Sequence, residues 1–299
     1  MRWTKRRRAA HHGKRRAGKR NTRRLVSESL EARIVLNGSP ICTPFLAHGN
    51  EHHSGVDASG PELRVLTELP NPVAESLLAV EPLASSAAAP LAETFSLHSN
   101  LGAAHRIYLD FDGHTSTGTY WNTFHNGGQD IVTPAYDFDG NVSAFSDAEL
   151  QRIQWIWQRV AEDFIPFDVD VTTADPGVDA LQKTGGGDAQ WGSRIVIGGS
   201  SNDWFGSGAG GVAYINSFSW SSDTPAFVFE AQLGNGHEKY VAEAISHEAG
   251  HTLGLRHDGR TSPSEEYYAG HGSGETGWAP IMGNGYYKNL TQWSQGEYL

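Results

Sequence analysis

Ser246-His247-Glu248-Ala249-Gly250-His251-Thr252-Leu253-Gly254-Leu255-Arg256-His257-Asp258 is the most informative run in this chain of 299 residues. If the run starts on a helix, His247 and His251 lie one turn apart on the same face, so both imidazoles can reach a single metal ion. Glu248 is rotated by about 100° around that helix. It therefore points beside the ion, where a water molecule would be held, which is the position of a general base. Gly254 can adopt a positive φ and end the helix after the second histidine. The chain can then turn back and offer His257 as a third ligand. Three neutral imidazoles leave one tetrahedral position open, as catalytic zinc sites do and structural ones do not. The full pattern should arise by chance in roughly 2 of 10,000 chains of this composition. His237-Glu238 serves as an internal control: a second His-Glu pair, but with Val241 where the partner histidine would have to be.

Upstream of this run, the spacing predicts a helix from about His237 to Leu253. Ser146-Asp147-Ala148-Glu149 reads as a capping box. Behind it, Leu150, Ile153, Ile156, Trp157, Val160 and Phe164 fall at helical spacing until Pro166. Five strands are predicted, at Arg106–Phe111, Phe167–Val171, Arg194–Gly198, Gly211–Ile215 and Ala226–Phe229. The expected fold class is α/β (α+β): one mixed five-stranded sheet, a long backing helix and an active-site helix. Asp110-Phe111-Asp112-Gly113 recurs as Asp137-Phe138-Asp139-Gly140. Neither copy has an acidic residue at its twelfth position, so two Asp-Gly turns are the better reading, with calcium as the alternative.

Composition divides the chain. Met1–Arg24 holds 12 of the 23 Lys and Arg, whereas 101–299 has 9 basic and 25 acidic residues, a net charge of −16. So acidic a body repels polyanions, and no specific nucleic-acid partner is expected. No apolar run reaches the roughly 18 residues that a transmembrane helix needs, so no such anchor is expected. The single cysteine, Cys42, cannot close an intramolecular disulfide or build a Cys-based metal site, and it reads as an incidental thiol. The expected organisation is a basic leader (1–36), a low-complexity linker or pro-segment without fixed structure (37–100) and a monomeric zinc-binding body (101–299). The basic tail could also bind nucleic acid or anionic lipid nonspecifically through charge alone.

Two resemblances add to these readings. Leu30-Glu31-Ala32-Arg33-Ile34-Val35-Leu36, following the arginine run, resembles the Leu-Glu-x-Arg-x-x-Leu leader of large exported bacterial proteins, which implies a secreted protein. The His-Glu-x-x-His-x-x-Gly-x-x-His pattern with Asp258 behind it resembles the metzincin clan of zinc endopeptidases, in its reprolysin-like branch. That resemblance spans about Ala104 to Tyr298. It implies one catalytic Zn²⁺ on His247, His251 and His257, Glu248 as general base, and protein or peptide substrates. It also implies a methionine turn beneath the ligands, for which Met282, the sole internal methionine, is the candidate. Substrate would align along an edge strand, for which Gly211, Val212, Ala213 and Tyr214 are candidates, with an ordinary strand as the alternative. Tyr286 is a candidate oxyanion donor, with pocket-wall packing as the alternative. Ser294-Gln295-Gly296-Glu297 reads as the capping box of the C-terminal helix that the clan carries. A zinc hydrolase acting on something other than peptides and a zinc-binding interaction module are the rival readings.

Overall fold

Strand β6 (Trp191–Ile197), of sequence WGSRIVI, is buried along its whole length, which places it in the middle of a sheet. The computed structural model describes residues 61–67, 87–206 and 208–293, all within one compact unit, Ala47–Leu299. The leader, Cys42 and Ser294–Glu297 lie outside the described residues. Around β6 run β2 (His105–Asp110), β5 (Val169–Thr172) and β8 (Ala226–Val228), all parallel, and β7 (Ala209–Tyr214), antiparallel to β8. These are the five strands that alternation predicts, and they form a mixed sheet.

The sheet holds a sixth strand. β1 (Leu63–Thr67) pairs antiparallel with the outer side of β7, giving the order β1-β7-β8-β6-β2-β5. It lies in the stretch expected to lack fixed structure. So do residues 87–100, which include a 3₁₀ turn (Leu91–Ser96) and are tied to the body. Ala89 N–H donates to Gln154 Oε1, and Asp170 Oδ1 accepts from the N–H groups of Ser99 and Asn100. Composition misplaces this boundary because short polar segments gain their order from tertiary hydrogen bonds.

Two helices cover one face of the sheet. α2 (Asp147–Phe164) begins on the expected capping box: Ser146 Oγ accepts from Glu149 N–H, and Glu149 Oε2 accepts from Ser146 N–H at 2.8 Å. Its Ile153, Ile156, Val160 and Phe164 are buried, as the spacing requires, whereas Leu150 and Trp157 are half-buried. We predict that Ser146→Ala costs about 1 kcal/mol, measured by urea unfolding, because a helix donor loses its cap. α3 (Glu238–Thr252) packs beside α2 and across β7, β8 and β6. Val212 and Tyr214 of β7 point away from it, into a cluster around Trp121 and Phe227. That cluster is anchored by Trp121 Nε1, which donates to Pro225 O at 2.7 Å. Trp121 belongs to α1 (Tyr120–His125), a short helix between the strands of a hairpin, β3 (His114–Ser116) and β4 (Ile131–Thr133). Beyond α3, β9 (Arg260–Thr261) pairs with β10 (Ser264–Glu265), and β11 (Trp278–Pro280) runs parallel to β12 (Leu290–Gln292).

Candidate metal centre

From Val241 to Thr252 every residue of α3 is buried. A helix buried on all sides should be apolar throughout, yet this one carries His247, Glu248 and His251. Their polar atoms need partners. The helix ends as expected: Gly254 takes φ 97°, its N–H donates to His251 O, and Leu255 N–H reaches back to Gly250 O. This paired closure uses the left-handed glycine to turn the chain sharply. His257 is thereby returned to the helix, with its Nε2 3.1 Å from His251 Nε2. The ligand atoms of His247, His251 and His257 all lie within 4.8 Å of one another, close enough to hold a metal ion.

The surroundings of the three rings fix how they could bind one. His247 Nδ1 lies 2.9 Å from Ile281 O, His251 Nδ1 2.8 Å from Leu255 O, and His257 Nδ1 3.1 Å from Glu266 Oε1. Each acceptor favours a proton on Nδ1, the tautomer whose Nε2 lone pair can bind a metal ion. His247 Nε2 is buried and has no partner among the described residues. Burial holds the His247 imidazole neutral by pushing its pKa down to about 4, and neutral is the form that binds metal.

Glu248 is fully buried, and neither of its carboxylate oxygens has a hydrogen-bond partner among the described residues. Burial alone raises its pKa well above the ordinary carboxylate range. Its carboxyl lies against Gly211 of β7. A Cβ there would come within 2.6 Å of Oε1, so only glycine leaves this space free. Of the proposed edge residues, Gly211 thus meets the predicted base, whereas Val212 and Tyr214 belong to the core and β1 covers the strand's outer side.

Met282 lies below the helix, 2% exposed, where a Cβ on Gly250 would approach its Sδ to 2.4 Å. Its carbonyl accepts from Asp258 N–H at 2.8 Å, so the segment Ile281–Met282 props His247 and the return loop together. Tyr286 is buried, with its ring edge-on to Tyr240, and burial first, then the Glu248 carboxyl, opposes ionisation of its phenol.

Three contributors are not visible in the spacing. Tyr267 places its ring 4.1 Å from that of His257, and Glu266 orients the same imidazole. Asp163, on α2, accepts the Ser246 hydroxyl at 2.7 Å. Burial raises the Asp163 carboxyl to about 7 from 3.8, so between those values the folded protein holds a proton that the unfolded chain has lost. Stability from this group is complete below the lower value and is lost as pH rises through the upper one. We predict that Asp163→Asn flattens the fall in stability between about pH 4 and pH 7 by on the order of 2 kcal/mol. Urea unfolding at several pH values with chelator present would measure this, and identical pH profiles would exclude it.

A second group, Asp137, Asp139 and Glu149, also brings three carboxylate oxygens within 4.8 Å. Glu149 stands thirteenth from Asp137, one position beyond the acidic residue of a calcium loop. Backbone N–H groups already satisfy these carboxylates: Asp137 Oδ1 accepts from Asp139 and Gly140, and Glu149 Oε1 from Phe138. Gly113 and Gly140 both take positive φ, as Asp-Gly turns require. No described helix is long and apolar enough to cross a membrane. No family model, curated protein or solved structure matches the chain.

Proposed function

We propose that this chain is a zinc-dependent endopeptidase of metzincin type, secreted under its arginine-rich leader. One observation carries the reading: the imidazoles of His247, His251 and His257 converge, each with an acceptor beside its Nδ1, next to a buried carboxyl that has no partner among the described residues. A cation there would satisfy all four residues at once. Three nitrogen ligands with one open position suit zinc. When bound, the ion would supply Lewis-acid chemistry, polarising the scissile carbonyl and making a water easier to deprotonate near neutral pH.

The chain's own residues would do the rest. Glu248 takes a proton from water as the water oxygen bonds to the carbonyl carbon, then gives that proton to the amide nitrogen as the C–N bond breaks. Gly211 leaves space for the carboxyl between β7 and α3, and the Ile281–Met282 segment keeps His247 aimed. On this reading Met282 is the supporting methionine and ligates nothing. The test is incubation of the full chain, loaded with zinc, with an unfolded protein substrate, with and without chelator. New peptide termini that appear only without chelator are expected. Intact substrate after incubation with a folded chain carrying one zinc, both as it stands and with the pairing of β1 to β7 broken by substitution, would exclude the peptidase reading.

A further inference from the structure

The peptide-accepting side of β7 is already filled by another part of the same chain. β1 pairs Leu63 with Tyr214, Arg64 with Ala213, Val65 with Val212 and Leu66 with Gly211, before a bulge brings Thr67 opposite Ala209. Glu62 O accepts from Ile215 N–H at 2.9 Å, so Glu62–Ile215 is a hydrogen-bonded pair. By alternation, Arg64–Ala213 and Leu66–Gly211 are hydrogen-bonded pairs as well. The Leu66 backbone therefore runs opposite Gly211, against which the Glu248 carboxyl lies. The Glu62 carboxylate forms an ion pair with the Arg256 guanidinium, one residue before His257. Leu63 packs against the cluster behind β7.

We propose that residues 62–67 form an inhibitory strand, which holds the edge of β7 as an extended polypeptide substrate would and must leave before such a substrate can pair. This rests on the peptidase reading and specifies how that site is regulated. Main-chain bonding explains why β7 accepts β1 without demanding particular side chains. The described hold is light: a short backbone ladder of five paired residues and an ion pair whose partners are 58% and 38% exposed, which contributes little. It is strong enough only because β1 is tethered to the same chain, at an effective concentration on the order of millimolar. An untethered peptide at micromolar concentration would lose that competition.

The test uses the full chain, the double variant Arg64→Pro/Leu66→Pro and the single variant Glu62→Arg. Each proline removes an N–H from the ladder. Arginine at 62 meets Arg256 at an exposed position and leaves the fold alone. The probe is a fluorescent synthetic peptide of residues 61–67, followed by anisotropy, together with bound zinc and cleavage of a quenched peptide. We expect the double variant to bind the probe at least about tenfold more tightly than wild type and to cleave about tenfold faster, with unchanged zinc. Glu62→Arg should shift both in the same direction by about two- to fivefold. The probe should inhibit the double variant competitively. Zinc-loaded variants that bind the probe no better than wild type would overturn the proposal, and Glu62→Arg decides it alone if the prolines prevent folding. Tighter probe binding without cleavage by any of the three proteins would support the strand exchange and reject the peptidase reading.

Discussion

Glu248→Gln should leave the metal in place and lower turnover by about 10²–10⁴-fold, the usual contribution of a general base. The amide matches the carboxylate in shape, so the room against Gly211 is filled as before and α3 is undisturbed. What the amide cannot do is accept and return a proton. The carboxyl is fully buried and without a hydrogen-bond partner among the described residues, so its removal breaks no described hydrogen bond. Unfolding in chelator should therefore show Glu248→Gln to be as stable as wild type, or more so, because a buried carboxylate costs more than a buried amide. Metal content, turnover and unfolding together separate the roles. Lost turnover with lost metal would make Glu248 part of the binding set, and unchanged turnover would remove the mechanism proposed here.

The parts of this fold set by local periodicity were legible, and those set by distant contacts were not. His247 and His251 could be read as neighbours because helical spacing fixes their separation, and Gly254 because a left-handed turn favours glycine. Ser146 and Glu149 announced α2 for the same reason. β1 is not legible because Leu63–Thr67 is only five residues long and its alternation breaks at Val65-Leu66, inside a segment rich in Ala, Ser and Pro, so that it acquires its meaning from β7. The expected five-stranded sheet therefore has a sixth strand. Ile281, Leu255 and Glu266, which hold the three Nδ1 atoms, were equally hidden, since two act through backbone carbonyls that any residue supplies. Tyr267 sits in an irregular loop, where spacing carries no information. Zinc itself and peptide cleavage follow from donor chemistry and remain proposals.

Those three acceptors underlie the second large effect, on His251→Ala. His251 is fully buried, with its Nε2 3.1 Å from His257 Nε2, so its loss would remove one of the three proposed ligands from the middle of the cluster. In wild type, a metal present at 100 to 1,000 times its dissociation constant would add about 3–4 kcal/mol to stability. For a domain of this size each kcal/mol is about 2–4 °C, so chelator should lower the thermal midpoint by roughly 6–16 °C. His251→Ala should bind no metal in the same dialysis and show no turnover, with a midpoint the same with and without chelator. The alanine also leaves a cavity and frees Leu255 O, so its midpoint should lie at or below that of chelated wild type. Were the histidines merely packed side chains, chelator would not move the wild-type midpoint at all. The buried Glu248 carboxyl, which has no partner among the described residues, would then be an uncompensated cost in the middle of the fold. That is why the chelator response in wild type, and its disappearance in His251→Ala, tests the metal centre independently of any substrate.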